Sequence, residues 1–234
     1  MATQYKAVFF DLDGTLRITT PSPTDAFLLY ARSLNIKITP MAEKRVKLWA
    51  HHYWGQDQRI KQDMERFGLD GFWINYSRRL LEKVNVMEDI EQRARMVREW
   101  FGNGYNPHVA LAEFGYETLQ QLKNMGYQLG LISNRATPLD ETVTELGLNG
   151  LFDITLAAGE VGYWKPNPAI FFHALKHFED LKPHQCIYVG DNYYADGHGA
   201  EAAGMLPVIF DPDNLYKNSS FLSIQRVDEI LYWL

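Results

Sequence analysis

Short apolar runs alternate with helical patterns along most of this chain, and few folds accept that order. Residues 127–132, 153–157, 186–190 and 207–210 are runs of β-branched, aliphatic and aromatic side chains, separated by stretches of helical periodicity. Strands that alternate with helices imply a parallel sheet covered by helices on both faces. Residues 5–10 supply an earlier strand, and its Ala7-Val8-Phe9-Phe10 run is apolar on both faces, as a central strand requires. One helix begins after Thr137 with Pro138, repeats Leu139, Val143 and Leu146, and stops at Gly147. Another takes Asn167 as N-cap and Pro168 as its first position, then repeats Ile170, Ala174 and Phe178.

Residues 18–104 break the alternation. They read as helices at 23–34, 41–53, 57–67, 72–84 and 88–101, without strands. Gly102-Asn103-Gly104 and Pro107 then supply breakers where the chain returns to the sheet. The expected organisation is a Rossmann-like α/β core from 1–17 and 105–234, with a helical domain of 18–104 inserted after the first strand.

Composition narrows the function. A net charge of −6 with acidic and basic residues interspersed excludes the basic footprint of a nucleic-acid binder, so the expected partner is a small molecule. The lone cysteine, Cys186, lies in an apolar run and excludes a disulfide framework or a cysteine metal site. With neither a signal peptide nor a membrane anchor legible, the expectation is a cytoplasmic protein that does not engage membranes. A monomer is the default, with a homodimer as the alternative.

Ligands of an open parallel sheet bind beyond the carboxyl ends of its strands. There the first strand delivers Asp11-Leu12-Asp13-Gly14-Thr15, two carboxylates two residues apart and a glycine for the turn. A calcium loop of the EF-hand type fails on spacing, because its glycine and glutamate positions hold Leu16 and Ser22. A plain Asp-Gly turn fits the segment taken alone. However, Ser133-Asn134 follows strand 127–132, Asp191 follows strand 186–190, and Lys165 stands just ahead of a helix N-terminus. Singly, each reads as a capping, turn or surface residue; at corresponding strand ends they read as a site.

In these segments the chain resembles the haloacid dehalogenase superfamily. The resemblance rests on Asp11-Leu12-Asp13-Gly14-Thr15, Ser133, Lys165-Pro166-Asn167-Pro168, and Gly190-Asp191 followed by Asp196. It implies a phosphatase whose nucleophile is Asp11 and whose acid and base is Asp13, with Ser133, Asn134, Lys165 and the Gly14 and Thr15 backbone around the phosphoryl group. It also implies Mg²⁺ held by Asp11, the backbone carbonyl of Asp13, and Asp191, with Asp196 behind them or bound through water. The electrostatics agree, since two like charges ~4 Å apart repel by ~4 kcal/mol at an effective dielectric near ~20. The inserted helices occupy the place of that family's cap domain.

Asp13 argues against a dehalogenase, which needs no acid for a leaving alcohol, and the position of Asp11 on the first strand argues against a phosphoacceptor signalling domain. A sugar-phosphate mutase and a non-catalytic binding protein on the same fold stay open. Arg17-Ile18-Thr19-Thr20 and Gly197 depart from the familiar pattern, so the substrate is not legible. Arg17 is a candidate contact to an anionic substrate, with a surface role as its alternative. His51 and His52 fit solvated, capping or substrate roles equally. Trp49, Tyr53, Trp54, Phe67, Phe72, Trp73 and Tyr76 are expected mostly in the helical domain's core.

Overall fold

The computed structural model describes residues 5–234, which divide into two compact units: 5–18 with 110–234, and Thr19–Val109. In chain order the described strands are β1 (Ala7–Phe10), β2 (Arg17–Thr20), β3 (His108–Leu111), β4 (Gln128–Ser133), β5 (Ile154–Ala157), β6 (Cys186–Gly190), β7 (Leu206–Phe210) and β8 (Leu222–Ile224). Six of them form one parallel sheet in the order β5-β4-β1-β6-β7-β8. The fold is the Rossmann-like α/β core expected from the sequence, with β1 central. β2 and β3 pair as a separate two-stranded sheet, which corrects the strand-free reading of residues 18–20.

All four side chains of β1 are buried, and they divide between two cores because successive residues of a strand face opposite ways. Val8 and Phe10 pack with Leu119, Leu122, Val227 and Ile230, the inner faces of helix Gly115–Asn124 and the C-terminal turn Val227–Trp233. Ala7 and Phe9 pack on the opposite side with Ile170, Phe171 and Ala174 of helix Ala169–Leu175 and with Ala200 and Ala203. Phe9 lies opposite Gly130 in register, and a Cβ on Gly130 would fall 2.2 Å from the Phe9 ring. The glycine in β4 is therefore the space that the ring occupies.

Two helices start or end differently from expectation. The helix expected from Pro138 begins at Asp140, and the one expected to reach Phe178 stops at Leu175. Phe178 still turns inward, edge-on to Phe9 with ring centroids 5.7 Å apart, so its apolar spacing reflects packing and not helix length. This helix begins one residue later than expected, with Pro168 at the N-cap position and Asn167 just outside it, although Asn167 Oδ1 still accepts from Ala169 N at 3.0 Å.

The second unit is helical: Pro23–Ser33, Pro40–Trp54, Asp57–Lys83 and Ile90–Asn103. Ser22 and Thr39 cap the first two through their side-chain oxygens, each with a proline at the helix start. The long helix is two helices joined at Gly68, whose φ of 65° and ψ of 175° lie outside the helical region. Phe27, Leu28, Val46, Leu80, Leu81 and Val97 make its core. Tyr53 and Phe72 are buried as expected, whereas Phe67 is exposed. Among the described residues no helix is long and apolar enough to cross a membrane.

The Phe9–Gly130 contact makes a test of this packing. Gly130→Ala forces the ring aside and is expected to cost about 1–3 kcal/mol by urea unfolding, as overpacked cores do. Phe9→Leu in the same chain should recover part of that loss, a coupling that a double-mutant cycle reads directly.

Candidate active site

β1 ends by delivering Asp11, whose backbone N–H donates to Val189 O of β6 at 2.8 Å. The chain then folds back at once: Leu16 N and Arg17 N both donate to Leu12 O, and Gly14 N donates to Arg17 O. Gly14 has φ +91°, and a Cβ there would sit 2.6 Å from Asp191 Oδ2. Only glycine both takes that backbone and lets the loop lie against Asp191. Gly190 makes room in the same way, because its Cβ would fall 2.3 Å from Asp196 Cγ.

At the centre is Lys165, 2% exposed. Its Nζ donates to Asp11 Oδ1 and Asp196 Oδ1, both at 2.6 Å, and lies 2.9 Å from Tyr188 Oη and 3.1 Å from Ile132 O. The Tyr188 hydroxyl donates to Ile132 O at 3.0 Å, so it accepts from the ammonium. Burial alone would pull the lysine pKa down, yet the Asp11 and Asp196 carboxylates override it and hold the pKa well above its usual value. The second Asp196 oxygen accepts from Asn192 N at 2.9 Å. Asn134 fixes the lysine from outside: its Oδ1 accepts from Lys165 N at 2.7 Å and its Nδ2 donates to Lys165 O at 2.9 Å.

Asp13 stands apart from this buried group. Its side chain is 42% exposed and is gripped from two sides. Arg135 donates Nε to Oδ2 at 2.7 Å and one terminal nitrogen to Oδ1 at 2.8 Å, a forked pair, while Arg17 reaches Oδ1 at 3.1 Å. The other terminal nitrogen of Arg135 donates to Thr142 Oγ1 at 2.6 Å, which anchors the guanidinium to the first turn of helix Asp140–Glu145. The hydrogen bonds to Asp13 raise the Arg135 pKa.

Asp11, Asp191 and Asp196 each offer an oxygen within 4.8 Å of the others. With the protein's own charges alone, burial pushes the Asp11 carboxyl up to about 7 despite Lys165. Burial, then the Asp11 and Asp196 charges, holds Asp191 well above the usual carboxylate range. One lysine does not balance this much buried negative charge. The donor set is all oxygen and the deficit is positive charge, which is what a hard divalent cation supplies. Asp196 already spends both oxygens on Lys165 and Asn192, leaving Asp11 and Asp191 as the better placed carboxylates.

The structure thus gathers Asp11, Asp13, Gly14, Thr15, Ser133, Asn134, Lys165, Asp191 and Asp196 at the carboxyl ends of β1, β4 and β6 and in the loop before helix Ala169–Leu175. Ser133 closes β4 and is buried, and Thr15 is buried with Oγ1 at a long 3.5 Å from Asp11 Oδ2. Asn134 was expected at the phosphoryl group, but its amide is committed to the Lys165 backbone. Arg17 meets Asp13 because the turn folds the start of β2 back beside it. Tyr188 is not legible as a site residue, and Arg135, which the sequence places beside the site after Ser133-Asn134, carries no assignable role there. Tyr188 reads as one more apolar strand position, and Arg135 had no partner that sequence spacing could name.

Residues 5–204 match the family model described as haloacid dehalogenase-like hydrolase. The chain is 30% identical over 239 residues to the glyceraldehyde 3-phosphate phosphatase of Methanothermobacter thermautotrophicus, covering 96% of each chain. It is 29% identical over 225 residues to the pyrophosphatase PpaX of Bacillus mycoides, covering 96% of this chain and 91% of that one. A predicted phosphoglycolate phosphatase from Haemophilus somnus has the same fold, with a TM-score of 0.62 at 22% identity over 100% of this chain and 99% of that one.

The Asn134 clamp generates a prediction. Asn134→Ala leaves the Lys165 N–H and C=O without their partners and should lower stability by about 2 kcal/mol in urea unfolding, the cost of stranding partly buried polar groups. An unchanged unfolding midpoint would mean that water replaces the amide at no cost.

Proposed function

The chain belongs to the haloacid dehalogenase-like hydrolases and is a phosphoric monoester hydrolase, and on that premise we propose how it works: Mg²⁺-dependent transfer of the phosphoryl group to Asp11, then hydrolysis of the aspartyl-phosphate. The observation that carries this reading is the unequal placement of two carboxylates two residues apart. Asp11 is buried against a lysine and two further aspartates, whereas Asp13 is exposed and held by two arginines. A nucleophile needs the first environment and a group that exchanges protons with a leaving alcohol and with water needs the second.

Asp11 attacks phosphorus with one carboxylate oxygen, the bond from phosphorus to the ester oxygen breaks, and Asp13 gives that oxygen a proton. Asp13 then takes a proton from the water that attacks the aspartyl-phosphate, freeing inorganic phosphate and restoring Asp11. Lys165 and the Ser133 hydroxyl donate to the phosphoryl oxygens, while Asp196, Tyr188 and Asn134 keep the lysine in place. Arg135 and Arg17 orient Asp13. Asp11, Asp191 and, by the family resemblance, the Asp13 carbonyl would hold Mg²⁺, which would supply the positive charge that the acidic cluster and an incoming phosphate dianion require.

The substrate in this reading is a small phosphorylated metabolite, and the helical unit Thr19–Val109 acts as the cap that selects it. Two of the similar proteins carry names for small phosphorylated compounds, and the net charge of −6 lacks the basic surface that a polyanion needs. A panel of phosphorylated metabolites, run beside a phosphopeptide and a 5′-phosphorylated oligonucleotide, is expected to single out one small molecule by kcat/KM. Preference for either macromolecule would overturn this assignment.

Two outcomes check the chemistry. Aryl phosphate turnover should vanish on chelation and return with Mg²⁺ but poorly with Ca²⁺, whose larger and looser shell misplaces the nucleophile; full turnover in metal-free buffer contradicts the reading. Asp13→Asn should slow esters of poorly leaving alcohols far more than those of acidic phenols, by about 10²–10⁴-fold, the usual contribution of a general acid. Equal losses for both classes would remove Asp13 from leaving-group departure.

A further inference from the structure

The helical unit contains a cavity of about 400 Å³, within the size range of small-ligand sites. Its walls come from four places in one unit: the start of helix Pro23–Ser33, the end of Pro40–Trp54, the middle of Asp57–Lys83, and the end of Ile90–Asn103 with the loop beyond it. Trp54, Trp73, Tyr76, Phe101 and Tyr105 supply the faces and edges. Their rings brace one another around the space: Trp54 and Trp73 are 5.9 Å apart, Trp54 and Tyr76 5.4 Å, Phe101 and Tyr105 5.2 Å. The expectation that most of these side chains join the core holds for Tyr53 and Phe72 and for Trp49 and Tyr76 packed against it, whereas Trp54 and Trp73, together with one side of Tyr76, border unfilled volume. A close-packed interior does not keep this much aromatic surface facing a void.

The lining carries the Thr24 and Ser77 hydroxyls, which both donate and accept, and two further donors with no acceptor of their own among the described residues. Trp54 Nε1 donates to the Tyr76 hydroxyl at 3.0 Å, which leaves the Tyr76 proton without an acceptor among the described residues. Arg98 also lines the cavity; it pairs through one terminal nitrogen with Asp70 at 3.1 Å, while its Nε is buried with no partner among the described residues. Gly102, on the same wall, makes room for that guanidinium, since a Cβ there would come within 2.9 Å of Arg98 Nη1. Beside those two hydroxyls, the Tyr76 proton and the Arg98 guanidinium give the cavity an excess of donors, one of them charged, between flat apolar walls.

We propose that this cavity, lined wholly by residues of the helical unit, is a binding site for a planar aromatic carboxylate. The ring system lies among Trp54, Trp73, Tyr76 and Phe101, and the carboxylate accepts from Arg98 and from the Tyr76 hydroxyl. Aromatic walls favour a flat ring over a saturated one of equal size, and the donor pair favours an anion over its neutral amide.

The test is calorimetric titration of the full chain with 1-naphthoate, 1-naphthamide and the saturated decahydronaphthoate, read without any turnover and so independent of the catalytic reading. Saturable binding of 1-naphthoate is expected, about tenfold tighter than the amide, the margin of one charge-assisted contact. Arg98→Met should bring 1-naphthoate down to the affinity of the amide and leave the amide unchanged. Thr24→Phe, which fills the cavity from its rim, should weaken both. No saturable binding at millimolar 1-naphthoate overturns the proposal. So does equal affinity for acid and amide, or for the aromatic and saturated acids, and so does binding that Arg98→Met leaves intact.

Discussion

The buried ammonium of Lys165 between Asp11 and Asp196 is the interaction on which the rest of the core depends. Three charged groups taken out of water are tolerated only when each is paired and hydrogen-bonded, and removing one partner of such a set typically costs 3–5 kcal/mol. The surroundings meet that demand from every side. Tyr188 accepts from the ammonium, Asn192 N–H donates to Asp196, and Asn134 clamps the lysine backbone. Tyr188 lies within β6, Asn192 in the loop after it and Asn134 just past β4, so the charge triad also ties together the carboxyl ends of β1, β4 and β6.

The triad is nevertheless one positive charge short. Asp191 lies against Gly14 and within reach of Asp11, and burial leaves both carboxyls reluctant to ionise on the protein's charges alone. That shortfall is what the proposed divalent cation would make good. The chemistry proposed for Asp11 rests on the same imbalance: a cation held by Asp11 and Asp191 would add to the Lys165 charge and offset the repulsion between the carboxylate and a phosphate dianion.

Much of this core was legible in the sequence because it rests on local signals. The apolar run of β1, the turn at Gly14 and the strand ends at Ser133 and Asp191 each carry a pattern within a few residues. What escaped depends on distance in the chain. Arg135 meets Asp13 across 122 positions and Asn134 meets Lys165 across 31, pairings that no periodicity encodes. Tyr188 hides in a run of strand residues, and nothing in that run says that its hydroxyl meets a lysine. In the helical unit the aromatic spacing was plain, but whether rings fill a core or surround a cavity is decided by how four helices pack, not by any one of them.

The central claim is that phosphorus passes through Asp11, and trapping that state tests it most directly. Acid-quenched samples taken within the first turnover with Mg²⁺ and an aryl phosphate, digested and read by mass spectrometry, should carry one phosphoryl group on the peptide containing Asp11. Asp13→Asn should accumulate more of it, because the water that clears it loses its base. A phosphoryl group found on another residue, or none in either protein while phosphate is being released, would contradict the account.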